Sequence, residues 1–427
     1  MNMETNTKAD RIIVGSAAIA ISGAILSLFF GEQNLDYVNG APGYEAALGV
    51  FYAIAAIWAI MHRKQIQPAL TRSRPLAAMI VLALLSALWA ENPALALRRA
   101  LAVCGGTLIG VLLATRFTNA ERLHLLGFIL RVLAVGSLIF AVFLPRYGIS
   151  SDFRYLGAWN GVFNQKNGLG AYAGLGCLVE CFLPGRLRRK LPWFALYLLL
   201  LIKSSSASPV AALLGAWAIV LVFNRLRRRN KLSVRAIVIS VSTGIAACLA
   251  VGLGTGLFQA VLGRSADLTG RAELWSALIP VILLHPFLGY GYGAFWSGGS
   301  QEYYEVARRI HWAPMFAHNG FLEIMVSLGF VGLFLGLWFL IEGGFYAALM
   351  SDFRQSPQDL FPLALVIYYL LRNVTEVVLL YHNNLDWAVF VATVLSVLPG
   401  SPDRERALEA AEAEKADQAM SPTEEFA

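Results

Sequence analysis

Apolar residues run through this chain in long, even blocks separated by short polar connections. A helix needs about 20 predominantly apolar residues to cross the hydrocarbon of a bilayer. Blocks of that kind lie at 11–30, 44–61, 75–90, 97–115, 122–144, 167–184, 191–203, 208–224, 234–257, 318–341, 360–380 and 383–398. They predict an all-α integral membrane protein with about 12 transmembrane helices. On this reading residues 1–10 are a cytoplasmic N-terminus and 11–257 carry helices one to nine. Residues 258–317 form one large loop, and 318–398 carry helices ten to twelve. The stretch 399–427 is Ala/Glu-rich and acidic, and it is expected to be a disordered cytoplasmic tail. The large loop is rich in Trp, Tyr and Gly without being low-complexity, which predicts an ordered functional element. Its part near 270–284 is apolar enough to dip into the membrane or lie on it.

Composition agrees with the pattern. Hydrophobic residues make up 57% of the 427 and charged residues 14%. A soluble domain carries about 25% charged residues, so most of this surface faces something other than water. The net charge of +7 does not predict a nucleic-acid partner, because Lys and Arg sit in short runs between apolar blocks. Residues 62–74, 184–190 and 224–235 hold these runs, whereas 31–43 hold no Lys or Arg. Basic connections stay on the cytoplasmic side. Both termini are therefore expected there, with 258–317 on the outer face. All four cysteines lie within apolar stretches and read as buried small hydrophobes, with no metal or disulfide spacing.

Three outer-face segments concentrate polar groups. Residues 152–170 hold Arg154, Asn160, Asn164, Gln165, Lys166 and Asn167. Residues 264–275 hold Arg264, Arg271 and Glu273, and the third segment, AHNGFLEI, holds His318 and Asn319. Arginine meets phosphate oxygens with a planar fork and stays charged at any physiological pH. A cationic, amide-rich face suits a lipid-linked pyrophosphate and a sugar, and Trp159, Trp275, Trp296 and Trp312 offer flat apolar surfaces for sugar rings or for the interface. Each residue also has an ordinary structural reading, as a membrane-boundary anchor or, for His318, a helix cap. Arg131, Glu180, Glu323, Arg372 and Glu376 fall inside apolar blocks, where ionisable groups are paired or functional. Arg372 and Glu376 are four apart, and an ion pair within one helix accounts for them. The glycine cluster GYGYG at 289–293 has neither the strand nor the GK[ST] of a phosphate loop and reads as a turn.

The segments FNQKNGLGAY, KSSSASPVAALL, LTGRAELWSALIPVILLHPFLGYGYGAFW and AHNGFLEIMVSLGFVG, in that order, resemble the O-antigen ligase and polymerase family of bacterial envelopes. The wording HPFLGYGYGAFW leans towards its exopolysaccharide polymerases of the succinoglycan type. The resemblance runs from about 75 to 398. It implies an inverting glycosyltransferase of the bacterial inner membrane, working without metal or other cofactor at the periplasmic face. It also implies a wholly helical scaffold with a large periplasmic loop over the site. The implied donor and acceptor are oligosaccharides linked to undecaprenyl diphosphate. Membrane lipids, a chain-length regulator and export proteins are the expected partners. Arg154 and Arg271 match the family's diphosphate-binding arginines, and His318 matches its catalytic histidine. Lys166 joins the diphosphate set by position, with Asn319, Asn167 and Glu323 in support. Two other functions compete: a ligase that passes the glycan to lipid A core, and a secondary transporter. No inverted repeat with matching broken helices supports the transporter.

Overall fold

The computed structural model describes residues 7–24, 42–152, 155–228, 270–353 and 357–420, and regular structure among them is helical throughout. The longer helices are α1 (Lys8–Ile21), α2 (Pro42–Met61), α3 (Arg63–Arg72), α4 (Arg74–Leu85), α5 (Pro93–Arg116) and α6 (Asn119–Phe143). They continue as α7 (Lys166–Phe182), α8 (Leu187–Ser204), α9 (Ala207–Arg228), α10 (Arg271–Ile282) and α11 (Gln301–Ile310). The last four are α12 (Gly320–Phe353), α13 (Phe361–Asn373), α14 (Leu385–Val397) and α15 (Pro402–Met420).

Five helices (α2, α5, α6, α9 and α12) are long and apolar enough to cross a membrane. The number rises to seven if α3 with α4, and α14 with α15, each count as one bent span. The chain is thus an all-α, multi-pass membrane protein. The expected block at 234–257 lies outside the described residues. Other apolar blocks fold into shorter helices: α1 has 14 residues, α7 has 17, and α13 and α14 have 13 each. The block 360–380 is the instructive one. Its helix stops at Asn373, whose buried Oδ1 accepts the backbone N–H groups of Val378 and Leu379. A side chain that satisfies backbone donors in a turn competes with the helix for them.

The core lies between α5 and α14. Trp387 is fully buried and donates its indole N–H to Thr107 Oγ1 (2.9 Å). The two helices touch at Gly110, where a Cβ would stand 2.6 Å from the Ala388 carbonyl oxygen. Small residues let membrane helices approach in this way.

One end of the bundle gathers the basic connections. There Asp10 is fully buried and receives Arg116 through two bonds of 2.9 and 3.0 Å, together with the Trp58 indole. Ser73 donates to Glu342 at the same end, and Arg122 pairs with Asp403 (2.7 Å). That last contact corrects the expectation for the tail. Residues 402–420 are helical, and Arg122 anchors α15 at its start through Asp403, which also accepts from Arg406 within the helix. The opposite end gathers 42–45, 91–99, 155–167, 204–208, much of 270–320 and 374–386, and it carries the candidate site.

Candidate functional site

Ending α13 at Asn373 frees residues 374–384 to turn back across the end of the bundle. Glu376 sits in this turn. Its carbonyl oxygen accepts the Gly320 N–H (3.1 Å), which fastens the turn to the start of α12. Gly320 must be glycine, because a Cβ there would lie 1.9 Å from Asn373 Oδ1.

Two donors and an imidazole, from three distant segments, converge on the Glu376 carboxylate. Arg271 Nη2 lies 2.6 Å from Oε1, and Asn167 Nδ2 donates to the same oxygen at 2.9 Å. His318 Nδ1 lies 3.5 Å from Oε2, within ion-pairing distance but not hydrogen-bonded to it. The side chains of Arg271 and Glu376 are each 13% exposed and that of His318 is 19% exposed, so the cluster is sheltered but reachable. Burial alone raises the pKa of a carboxyl group. The Arg271 guanidinium and the neighbouring His318 overcome that effect and pull Glu376 down to about 2. Glu376 therefore remains an anion across the physiological range.

Local structure explains each placement. Arg271 is the first residue of α10, behind Gly270 in a left-handed conformation (φ +77°). Trp312 closes that corner, its indole nitrogen 3.3 Å from where a Gly270 Cβ would be. His318 is itself left-handed (φ +49°) and turns the chain into α12. It does not cap the helix: Asn319 does, accepting from the N–H groups of Phe321 and Leu322 (3.0 and 3.2 Å). Glu323 holds the preceding turn. It accepts from the Ala317 N–H and the Trp296 indole, both at 2.8 Å, while Trp275 donates to the Ala317 carbonyl. Phe316 packs on the imidazole with ring centroids 4.2 Å apart. Two of the four tryptophans singled out for sugar stacking thus brace the histidine turn through their N–H groups.

On α7, Asn167 receives Ser206 Oγ on its Oδ1 (2.9 Å), which orients the amide towards Glu376. Lys166 lies beside it, donating to the Ser205 carbonyl (3.2 Å) and resting 4.4 Å from the Tyr155 ring centroid. The structure therefore brings Lys166, Asn167, Arg271, His318 and Asn319 to one end, with Glu323 behind them. Arg154 and Arg264 lie outside the described residues. His311 is exposed and ends α11.

The expected Arg372–Glu376 pair is not formed. Helical spacing holds only while the helix persists, and α13 ends between the two residues. Arg372 turns instead to Asp386 on α14 (2.5 Å), which Tyr369 also reaches. Arg131 and Glu180 do pair, through bonds of 2.7 and 3.0 Å between α6 and α7. Glu376 is the residue that sequence reasoning missed. Its signal was a carboxylate in an apolar block, assigned to the wrong cation.

A family model described as O-Antigen ligase matches residues 192–337, which include Arg271, His318 and Glu323. The "Exopolysaccharide production protein ExoQ" of Rhizobium meliloti (strain 1021) is 26% identical, over 77% of this chain and 78% of its own length. The chain resembles the O-antigen ligase and polymerase family and is ExoQ-like. This is the resemblance carried by the motifs. Both comparisons support a broad polysaccharide polymerase or ligase reading for this membrane protein. Asn167 and Glu376 fall outside the matched stretch, so the carboxylate cluster joins that stretch to helices on both sides of it in the chain.

Proposed function

We propose that this protein is a polysaccharide polymerase. It transfers a growing glycan from undecaprenyl diphosphate to the non-reducing end of a lipid-linked repeat unit, at the periplasmic face of the bacterial inner membrane. The observation that carries this reading is the convergence of Arg271, His318 and Asn167 on Glu376 at one end of the bundle. The basic connections 62–74 and 184–190 belong to the other end. By the positive-inside rule that end is cytoplasmic, which makes the site periplasmic and both termini cytoplasmic if twelve spans are completed.

The chemistry follows from the residue types. The bond between the donor's anomeric carbon and the diphosphate oxygen breaks, and the diphosphate leaves as an anion. Arg271, with Arg154 and Lys166, neutralises the developing charge, so the departure needs no metal ion. An acceptor hydroxyl attacks from the opposite face of the sugar, which inverts the anomeric centre. Its proton passes to His318. With Nδ1 turned to Glu376, Nε2 is the nitrogen that receives it. Until the donor arrives, Glu376 occupies the arginine that the diphosphate is to engage. A transporter reading fits less well, since a carrier site is expected near mid-bilayer between repeats.

The test is reconstitution of the purified protein with lipid-linked repeat units. Lengthening of the lipid-linked glycan supports the polymerase reading. Transfer to lipid A core in place of chain growth means ligase, the activity in the matched family's description. Failure of both reactions overturns the proposal.

A further inference from the structure

The large loop does not stay at the end of the bundle. Helix α10 begins at Arg271 in the site and leads to the turn 283–288, which docks on the side of α12 well below its start. Phe330 N–H donates to the Pro286 carbonyl (2.7 Å), Val331 N–H to the Phe287 carbonyl (3.2 Å), and Tyr290 N–H to the Val326 carbonyl (2.9 Å). The contact is close because Gly289 and Gly329 both adopt positive φ. A Cβ on Gly329 would stand 2.2 Å from Phe287 backbone.

Two helices measured from one origin give the depth of this turn. Ser73, at the basic connection, donates to Glu342 and so marks the level of the other membrane boundary on α12. From Glu342 up to Phe330 is about 18 Å at 1.5 Å per residue. From Arg74 up α4 and its short continuation to Leu88 is about 21 Å on the same rise. Leu88 neighbours the turn, since the Trp89 indole donates to the Leu288 carbonyl. The hydrocarbon layer is about 30 Å thick, so both measurements end some 10 Å short of the far boundary.

The exposed surface at that level is apolar apart from His285. Ile279 is 52% exposed, Leu283 and Leu284 61% each, and Phe287 71%. These residues continue the outward stripes of Val81, Leu85 and Leu88 on one side and of Phe330 and Phe334 on the other. The one ionisable residue of 279–288 is His285, whose ring lies edge-on to Tyr290 (4.6 Å). Non-helical backbone survives at membrane depth only where its polar groups are satisfied by protein. Much of the turn's backbone is satisfied in this way: besides the bonds to α12, Leu284 and His285 donate to Val281 and Ile282, and Gly289 donates to His285.

We infer that residues 279–288 form a re-entrant element whose exposed face is covered by the acyl chains of the leaflet on the site's side. The loop then spans from the site into the lipid, and Arg271 stands at the top of its descending limb. A donor whose polyprenyl tail lies in that leaflet meets the arginine at the same edge.

Spin-label accessibility in liposomes tests this. The native cysteines are replaced, and single cysteines are placed at Leu284, Phe287 and, as an aqueous control, Tyr304, which is 60% exposed on α11. Labels at 284 and 287 are expected to favour collisions with oxygen over a water-soluble nickel chelate, and the label at 304 the reverse. Ready access of the chelate to 287 would place the turn in water. Protection of 287 from both reagents would mean that protein, such as a second copy of the chain, covers it. Either result overturns the inference, and neither depends on which sugar-transfer reaction the protein performs.

Discussion

Glu376→Gln separates two consequences that most site substitutions would mix. The amide keeps the volume and can still meet Asn167, but it removes the only negative charge that Arg271 contacts in the cluster. The Arg271–Glu376 contact is short, 2.6 Å, and both side chains are 13% exposed. Removing one partner of a buried pair costs about 3–5 kcal/mol, because the other charge is left uncompensated. A diphosphate restores that compensation. Binding of undecaprenyl diphosphate should therefore tighten or stay level in the variant, as the donor no longer competes with a carboxylate. Catalysis should move the other way. Without the anion, nothing holds Nδ1 of His318 or favours the imidazolium formed when the acceptor hydroxyl loses its proton. A positioned base contributes about 10²–10⁴-fold, and a substantial part of that should disappear from kcat. The assay is polymer formation from purified lipid-linked repeat units, run beside direct binding of undecaprenyl diphosphate, each at matched folded protein. Weaker binding with unchanged kcat would refute the exchange argument, as would a variant indistinguishable from wild type.

Arg271→Ala should lower the polymerisation rate by about 2–4 kcal/mol in transition-state terms, a hundredfold or more, and Arg271→Lys should recover only part because a point charge lacks the fork. Near-normal polymer yield from Arg271→Ala, in quantified membranes, would rule the role out. His318→Asn should abolish polymer while His311→Asn, on an exposed helix end, leaves it near normal; the reverse order would move the base to His311. Gly320→Ala drives a methyl group into the buried Asn373 side chain, and overpacking of this kind costs about 1–3 kcal/mol; thermal unfolding should show it, and an unchanged midpoint would mean that the turn at 373–376 yields freely. For pH, Glu376 is depressed from 4.5 to about 2, so its contribution to stability is complete above about 4.5 and is lost only as pH falls through about 2. Any acid limb of activity between pH 5 and 8 must then come from another group. A limb that persists in Glu376→Gln, displaced by loss of the neighbouring carboxylate, fits this assignment, and one that vanishes contradicts it.

The class of molecule was legible from periodicity alone. Long apolar blocks can only be helices in lipid, where every backbone donor and acceptor needs a partner inside its own segment. Motif spelling carried the family resemblance and singled out Arg271 and His318. Local chemistry accounted for some smaller points as well: GYGYG forms turns, with Gly289, Gly291 and Gly293 all at positive φ. Helix ends were less legible. The stop at Asn373 depends on an amide reaching backbone groups five and six residues ahead, and no hydropathy pattern records such a bond.

By itself, then, the sequence determined that this is an all-helical membrane protein and that it resembles the polysaccharide polymerases and ligases, because burial in lipid and motif spelling are properties of short stretches. Only the tertiary structure decided which charges meet. Glu376 finds Arg271 from 105 positions away and Asn167 from 209, while its neighbour Arg372 goes to Asp386. A buried carboxylate takes whichever donors the packed helices bring within about 3 Å, since burying it unpaired is far costlier than any preference of local spacing.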